Sequence, residues 1–400
     1  MKTFSAKEIL LPNSVDMSKW SVVSCDQFTS QPEYWNALRE YIGDSYSTLD
    51  LIFPEVYLGD ADEDERICKI DANMDRYITS SVFKKIENGY VLVERTTKSG
   101  VKRIGLVGAV DLEDFDFSAN AKSVIRPTEG VVSSRIPPRL KIRKDASLEL
   151  PHIMLLIDDP SFKVIEPIYE NRNKLEKLYD FELNMGGGHL VGYKVPESEV
   201  DFDFLLDETE QKTKYGKTTN FVFAVGDGNH SLATAKTHWE NVKKNLSEKE
   251  IENHPARFAL VEINNVHSDG ITFEPIHRVV FGVGAEFVEY LKGRLNGDLK
   301  IKVECDGKTD YVFVPSLTPL AISEIQKAID EYGKGECDYI HGDEHLKSVA
   351  ARGGVAIFMP KIEKSDLFKY VLDNGVLSRK SFSMGEAEEK RYYTEARIIK

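Results

Sequence analysis

Asp227 and His230 stand within four residues of each other, in the run Val225-Gly226-Asp227-Gly228-Asn229-His230-Ser231. A carboxylate can bind a cation or receive a hydroxyl proton, and an imidazole can hold a phosphate. Gly226 and Gly228 let a ligand come close to the backbone. If a helix starts here, its free N–H groups and dipole favour an anion. The same dipole disfavours protonation of His230, so a neutral ring is expected. Gly-Asp-Gly-Asn is equally ordinary turn chemistry, so a structural loop and a ligand site both fit the residues.

The flanking pattern supplies the elements that must position this loop. Phe221-Val222-Phe223-Ala224-Val225 is an unbroken apolar run that reads as a buried strand. Leu232, Ala235, Trp239 and Val242 recur at helical spacing after it. A strand, a polar loop and a helix therefore follow one another, with Asn229 or Ser231 as the expected helix cap.

Other stretches carry candidate chemistry. Asp26 and Gln27 follow Trp20-Ser21-Val22-Val23-Ser24-Cys25, which reads as a strand, and precede a helix faced by Trp35, Leu38 and Tyr41. Asp26 fits either a second functional carboxylate or a helix cap. Arg126 and Glu129 lie in Ile125-Arg126-Pro127-Thr128-Glu129, where basic residues gather in an acidic chain. Arginine forks suit phosphate, or an ion-pair network with the acidic run 111–116. Gly186-Gly187-Gly188-His189 offers a backbone cradle or a hinge. His277 and Arg278 interrupt an apolar run and face either a polar cavity or a satisfied interior. Gly216-Lys217-Thr218 lacks the upstream glycine of a P-loop and precedes a strand, and no Gly-x-Gly-x-x-Gly opens a helix. A P-loop or dinucleotide-binding enzyme is not expected.

Hairpin strands are expected at 90–95 and 103–111, after a helix carrying Ile67, Ile70, Met74 and Tyr77. Residues 175–180 read as the end of a helix. The strands 258–263 and 271–274 flank Ser268-Asp269-Gly270 and read as an antiparallel pair. From about 285 the rhythm becomes that of a smaller α/β unit, which divides the chain into 1–284 and 285–400.

The chain has 400 residues, 41% of them hydrophobic, and a formal net charge of -14. That suits a globular protein of more than one core and disfavours general binding to nucleic acid or anionic membrane. Cys25, Cys68, Cys305 and Cys337 are scattered, as in reduced thiols. No apolar run approaches the roughly 20 residues of a membrane span, and the first residues lack a signal-peptide core. A soluble cytoplasmic protein is expected.

Four motifs, in order along nearly the whole chain, resemble a large prokaryotic family of uncharacterised conserved proteins. The family's hallmark, Asp-Gly-His-His-Arg-Tyr, corresponds to Asp227-Gly228-Asn229-His230-Ser231-Leu232. Ile125-Arg126-Pro127-Thr128-Glu129, Ile276-His277-Arg278-Val279-Val280 and Ser378-Arg379-Lys380-Ser381 match its further motifs. The stretches 20–35 and 226–236 look like its clostridial branch. The hallmark is similar to that of the ParB/sulfiredoxin-like fold, which includes free serine kinases.

The resemblance implies a mixed α/β fold with a ParB/sulfiredoxin-like core. It also implies a nucleotide- and magnesium-dependent phosphotransferase acting on a small hydroxylated metabolite. Asp227, His230 and Asp26 would be catalytic, with magnesium at Asp227. Gly226, Gly228, Asn229, Ser231, Arg126, Lys236, Gly187 and Gly188 would hold ATP or ADP. Gln27, Glu129, His277 and Arg278 would face the substrate, and a homodimer is possible. Asn229 and Ser231 replace the hallmark's first His and its Arg, which removes a phosphate fork. A nucleotide-binding regulatory protein without turnover and a metal-dependent phosphohydrolase are the alternatives.

Overall fold

The computed structural model describes residues 3–400 and is a mixed α/β protein. Two compact units share the chain. Unit 1 holds the described residues up to Pro127, then Val131–Ile271 and Glu386–Lys400. Unit 2 holds Thr128–Gly130 and Thr272–Gly385. The sequence-based boundary at 284 lies within unit 2, and the last residues of the chain belong to unit 1.

Unit 1 is built on a nine-stranded sheet. Its strands are β1 (Phe4–Ser5), β2 (Gly89–Thr96), β3 (Lys102–Asp111), β4 (Ile125–Pro127), β5 (Met154–Ile157), β6 (Glu176–Glu182), β7 (His189–Pro196), β8 (Phe223–Asp227) and β9 (Phe258–Asn265). The order is β4-β8-β5-β9-β3-β2-β7-β6, with β1 beside β3. The helices used below are α1 (Pro32–Ile42), α2 (Glu63–Thr79), α3 (Ile136–Arg143), α4 (Glu208–Tyr215) and α5 (Asn229–Lys243). Leu155, Ile157, Phe223, Val225, Leu232, Ala235 and Trp239 share one core, so β8 and α5 are fixed by burial on both sides of the loop. Each large side chain buried there contributes about 1.5–3 kcal/mol.

The expected hairpin is present: Val91 to Thr96 pair antiparallel with Val107 to Lys102. Helix α2 buries Ile67, Ile70, Met74 and Tyr77, as their spacing predicts. Three expectations fail for physical reasons. Residues 176–182 form β6, because their backbone pairs antiparallel along the edge of β7. The segment 20–25 is not a strand: Met17–Trp20 is helical, and Val23 makes one isolated bridge to Arg391. The strand after Ser268-Asp269-Gly270 does not fold back on β9, because β3 and β5 occupy both edges of β9.

Unit 2 receives that strand as β10 (Glu274–Phe281). It follows with α6 (Ala285–Arg294), β11 (Leu299–Cys305), β12 (Lys308–Val314), α7 (Thr318–Tyr332), β13 (Glu336–His341), α8 (Asp343–Ala350), β14 (Gly354–Ile357), α9 (Lys364–Asn374) and β15 (Phe382–Ser383). The sheet runs β12-β11-β14-β10-β13, with β15 beside β10. Among the described residues, no helix is long and apolar enough to cross a membrane.

Candidate functional site

The site is built where β8 ends. Opposite β5, the register of β8 shifts between Val225 and Asp227, so Asp227 faces Met154. A bulge of this kind re-aims the next side chain. Gly228 then turns the chain at φ 83°, and α5 begins at Asn229. A Cβ on Gly228 would lie 2.6 Å from the His152 carbonyl oxygen, so only glycine fits both the turn and the approach. The glycine also occupies the N-cap position, and no side chain caps α5. Neither expected cap, Asn229 or Ser231, serves.

Asp227 is held by three partners. Its Oδ1 accepts from the Gly228 N–H at 2.8 Å. Its Oδ2 lies 3.1 Å from Lys390 Nζ and 3.4 Å from His152 Nε2. Burial opposes its ionisation, but His152 and Lys390 outweigh that and hold the carboxyl well below the usual range. His152 Nδ1 donates to the Arg391 carbonyl at 2.7 Å, which turns Nε2 toward Asp227. The tail that brings Lys390 is itself pinned: Ser24 N–H donates to the Lys390 carbonyl at 2.7 Å, and Tyr392 N–H to the Val22 carbonyl at 2.9 Å.

Two more groups complete the loop. The Val132 N–H donates to His230 Nε2 at 3.1 Å, so that nitrogen carries no proton and the ring is neutral in this arrangement. Asn229 is buried, and its Oδ1 has no hydrogen-bond partner among the described residues. The ionised Asp227 carboxylate and Lys390 therefore meet at a loop that also carries a neutral imidazole, a buried amide oxygen and the uncapped first turn of a helix. Such a set can orient a hydroxyl and neutralise a phosphate.

Asp26 forms a second cluster. Its Oδ1 accepts from Ser24 Oγ at 2.8 Å and from Gln27 Nε2 at 3.0 Å, and Arg139 Nη2 stands 4.0 Å from Oδ2. Arg139 also donates through Nε to Glu55 at 3.0 Å. Lys390 links the clusters: its carbonyl receives the Ser24 N–H and its ammonium meets Asp227.

The remaining candidates have other neighbours. Arg126 is buried and donates to the Ser123 carbonyl at 2.9 Å and to Asn220 Oδ1 at 3.1 Å, beside the Phe221 ring. Those partners lie around the start of β8, whereas Asp227 ends it. Lys236 pairs with Glu240 at 2.7 Å on α5, and Ser231 is exposed in the first turn. Gly226 lies in the bulge. Gly187 and Gly188 shape the turn from β6 to β7, where a Cβ on Gly188 would meet the Thr96 carbonyl at 2.1 Å.

Glu129, His277 and Arg278 belong to unit 2. His277 is satisfied on both nitrogens: Nδ1 accepts from the Met359 N–H at 3.0 Å and Nε2 lies 2.8 Å from Asp343 Oδ1. Arg278 is buried against Tyr339 and donates to Gln326 at 2.8 Å. His152 and Lys390 escaped the sequence reading. His152 opens an apolar strand and Lys390 lies in a charged tail, and neither context marks a ligand.

The chain matches the family described as Protein of unknown function (DUF1015) over residues 7–376, and it belongs to that family. No curated protein matches it. Among solved structures it is similar to a free serine kinase variant in complex with ADP, at 12% identity and a TM-score of 0.38, over 70% of this chain and 87% of that one. A conserved hypothetical protein from Pyrococcus furiosus gives 11% and 0.36 over 70% and 90%. SbnI with C-terminal truncation from Staphylococcus aureus gives 10% and 0.36 over 70% and 82%. These likenesses are distant.

Proposed function

We propose that this member of the family is a nucleotide-dependent phosphotransferase acting on the hydroxyl of a small metabolite, with Asp227 at its centre. One observation carries the reading: the Asp227 carboxylate lies between Lys390 and His152, beside a helix N-terminus that no side chain caps. In the proposed reaction the acceptor oxygen bonds to the terminal phosphorus of the nucleotide. The bond from that phosphorus to the bridging oxygen breaks, and the shortened nucleotide leaves. The hydroxyl proton departs to solvent past Asp227. A carboxylate with so low a proton affinity is a weak base, so its role is to orient the hydroxyl. Phosphoryl transfer through a loose transition state asks for positioning and charge neutralisation more than for a strong base.

Lys390 and the first N–H groups of α5 would receive the phosphates. Lys390 would thereby supply the cation that Ser231 does not. Asn229 Oδ1 is suited to accept a hydrogen bond from the ligand. Among the described residues no group of three or more His, Cys, Asp or Glu side chains could hold a metal ion. One carboxylate, Asp227, fits magnesium only as a partner to nucleotide phosphates, which is how this ion is commonly held. Magnesium bound in that way would offset phosphate charge.

The test is nucleotide consumption by the full chain with magnesium, using ATP and ADP in turn against free hydroxy amino acids and small alcohols. Consumption that depends on one acceptor is expected. Nucleotide bound but never consumed would replace the proposal with a regulatory role. Phosphate release independent of any acceptor would replace it with a phosphohydrolase.

A further inference from the structure

One small cavity in unit 1 gathers three arginines against two carboxylates. Arg95 and Arg103 are direct cross-strand partners in β2 and β3, an arrangement that repels. Arg391 joins them from the tail, and with Glu262, Thr394 and Glu395 they line a small interior cavity of about 20 Å³. Arg95 is 4% exposed and Arg391 2% exposed. Arg103 has a carboxylate partner, since its Nη2 donates to Glu262 at 3.3 Å. Arg391 spends Nη2 on the carbonyl of Ser21 at 2.7 Å and on Asn184. Its Nε and Nη1, and Nε and Nη2 of Arg95, have no hydrogen-bond partner among the described residues. Thr394 Oγ1 in the same wall is likewise unmatched.

A guanidinium does not shed its proton to escape burial. Left without a counter-charge, it carries the large desolvation penalty of an isolated ion. Glu395 does little to relieve this. Its carboxyl accepts from the Tyr179 hydroxyl at 2.8 Å, and burial pushes its pKa up to about 7. Glu262 is already engaged by Arg103. Glu389, the other carboxylate near Arg95, accepts from the Glu386 N–H in its own turn.

We propose that this cavity binds one small inorganic anion of about chloride size, held by Arg95 and Arg391. The class of ligand follows from charge and volume. A neutral water would satisfy donors but leave the excess charge. One water-sized probe sphere fills about 10–15 Å³ on the same measure, so the space suits a monatomic anion and is too small for phosphate. The cavity is distinct from the proposed phosphotransfer site, although the Arg391 backbone carbonyl also holds His152.

The test uses bromide. Crystals of the full chain in sodium bromide are expected to show an anomalous peak in the cavity beside Arg95 and Arg391. In solution, the unfolding temperature is expected to be several degrees higher in sodium bromide than in sodium gluconate at equal ionic strength. Arg95→Met should abolish that difference. Glu395→Gln keeps the test alive if the arginine variant does not fold, because it should preserve or enlarge the bromide effect. Tyr179 and Glu262 act directly on Glu395, and Arg95, Arg103, Arg391, Tyr392 and Tyr393 are the other charged or titratable residues lining the cavity. Glu395, with a pKa of about 7, is expected to ionise near neutrality and compete with the anion. The wild-type bromide effect should therefore fade from pH 6 to pH 8, and the Glu395→Gln effect should not. A water in place of the anomalous peak, or equal unfolding temperatures in the two salts for both wild type and Glu395→Gln, would overturn the proposal.

Discussion

Lys390, ten residues before Lys400, places its ammonium 3.1 Å from the Asp227 carboxylate. The pair joins the tail of unit 1 to the loop between β8 and α5. It also fixes the charge of the proposed site, since the lysine stabilises the ionised carboxyl against burial.

Lys390→Met tests the part played by that cation. If Lys390 receives phosphate, removing a charged hydrogen bond should weaken nucleotide binding roughly tenfold or more. Lys390→Arg should keep much of the affinity. Titration calorimetry with ADP and magnesium reads both, and equal affinities in wild type and the methionine variant would refute the assignment.

The Asp227 pKa also sets a pH signature. Its carboxyl is more acidic in the folded protein than the ordinary value of about 3.9. Its contribution to stability is thus complete above that value and is lost as pH falls through the folded one. Asp227→Asn should be less stable than wild type by a steady margin from pH 5 to pH 8, and the margin should shrink below about pH 4. Urea unfolding across that range measures it.

Glu395 has the opposite sign. Its folded pKa of about 7 lies above the ordinary carboxyl value, so ionisation favours the unfolded chain. Stability relative to Glu395→Gln should fall as pH rises from about 4.3 to 7 and then level off, by on the order of 3 kcal/mol. Unfolding in gluconate buffers, without a small anion, isolates this effect.

Gly228 carries both a positive φ and a close contact, and Gly216, at the end of α4, carries only the φ of 72° with open space around it. Gly228→Ala should cost about 2–4 kcal/mol, from left-handed strain and overpacking against His152. Gly216→Ala should cost about 1 kcal/mol. Denaturant midpoints separate the two.

Periodicity made much of this fold legible. The apolar run 221–225 and the spacing of Leu232, Ala235 and Trp239 located β8 and α5, and Asp227 between them. Pattern does not show which strands fill the edges of β9, so the expectation for 271–274 names the wrong neighbour. Nor could it show that residues 390–393 lie against 22–24 and His152, because that pairing is a long-range closure with no local signal. Lys390 and His152 beside Asp227 are hidden for this reason. Arg126 shows the converse: a basic residue in a suggestive motif whose hydrogen bonds go to Ser123 and Asn220.

The most direct test of the central claim is phosphorus NMR of wild type and Asp227→Asn, each incubated with magnesium, nucleotide and the acceptor panel. A new phosphate-ester signal is expected that requires one acceptor and is lost in the folded Asp227→Asn protein. An ester formed as fast by Asp227→Asn, or nucleotide binding by wild type with no ester from any acceptor, would contradict it.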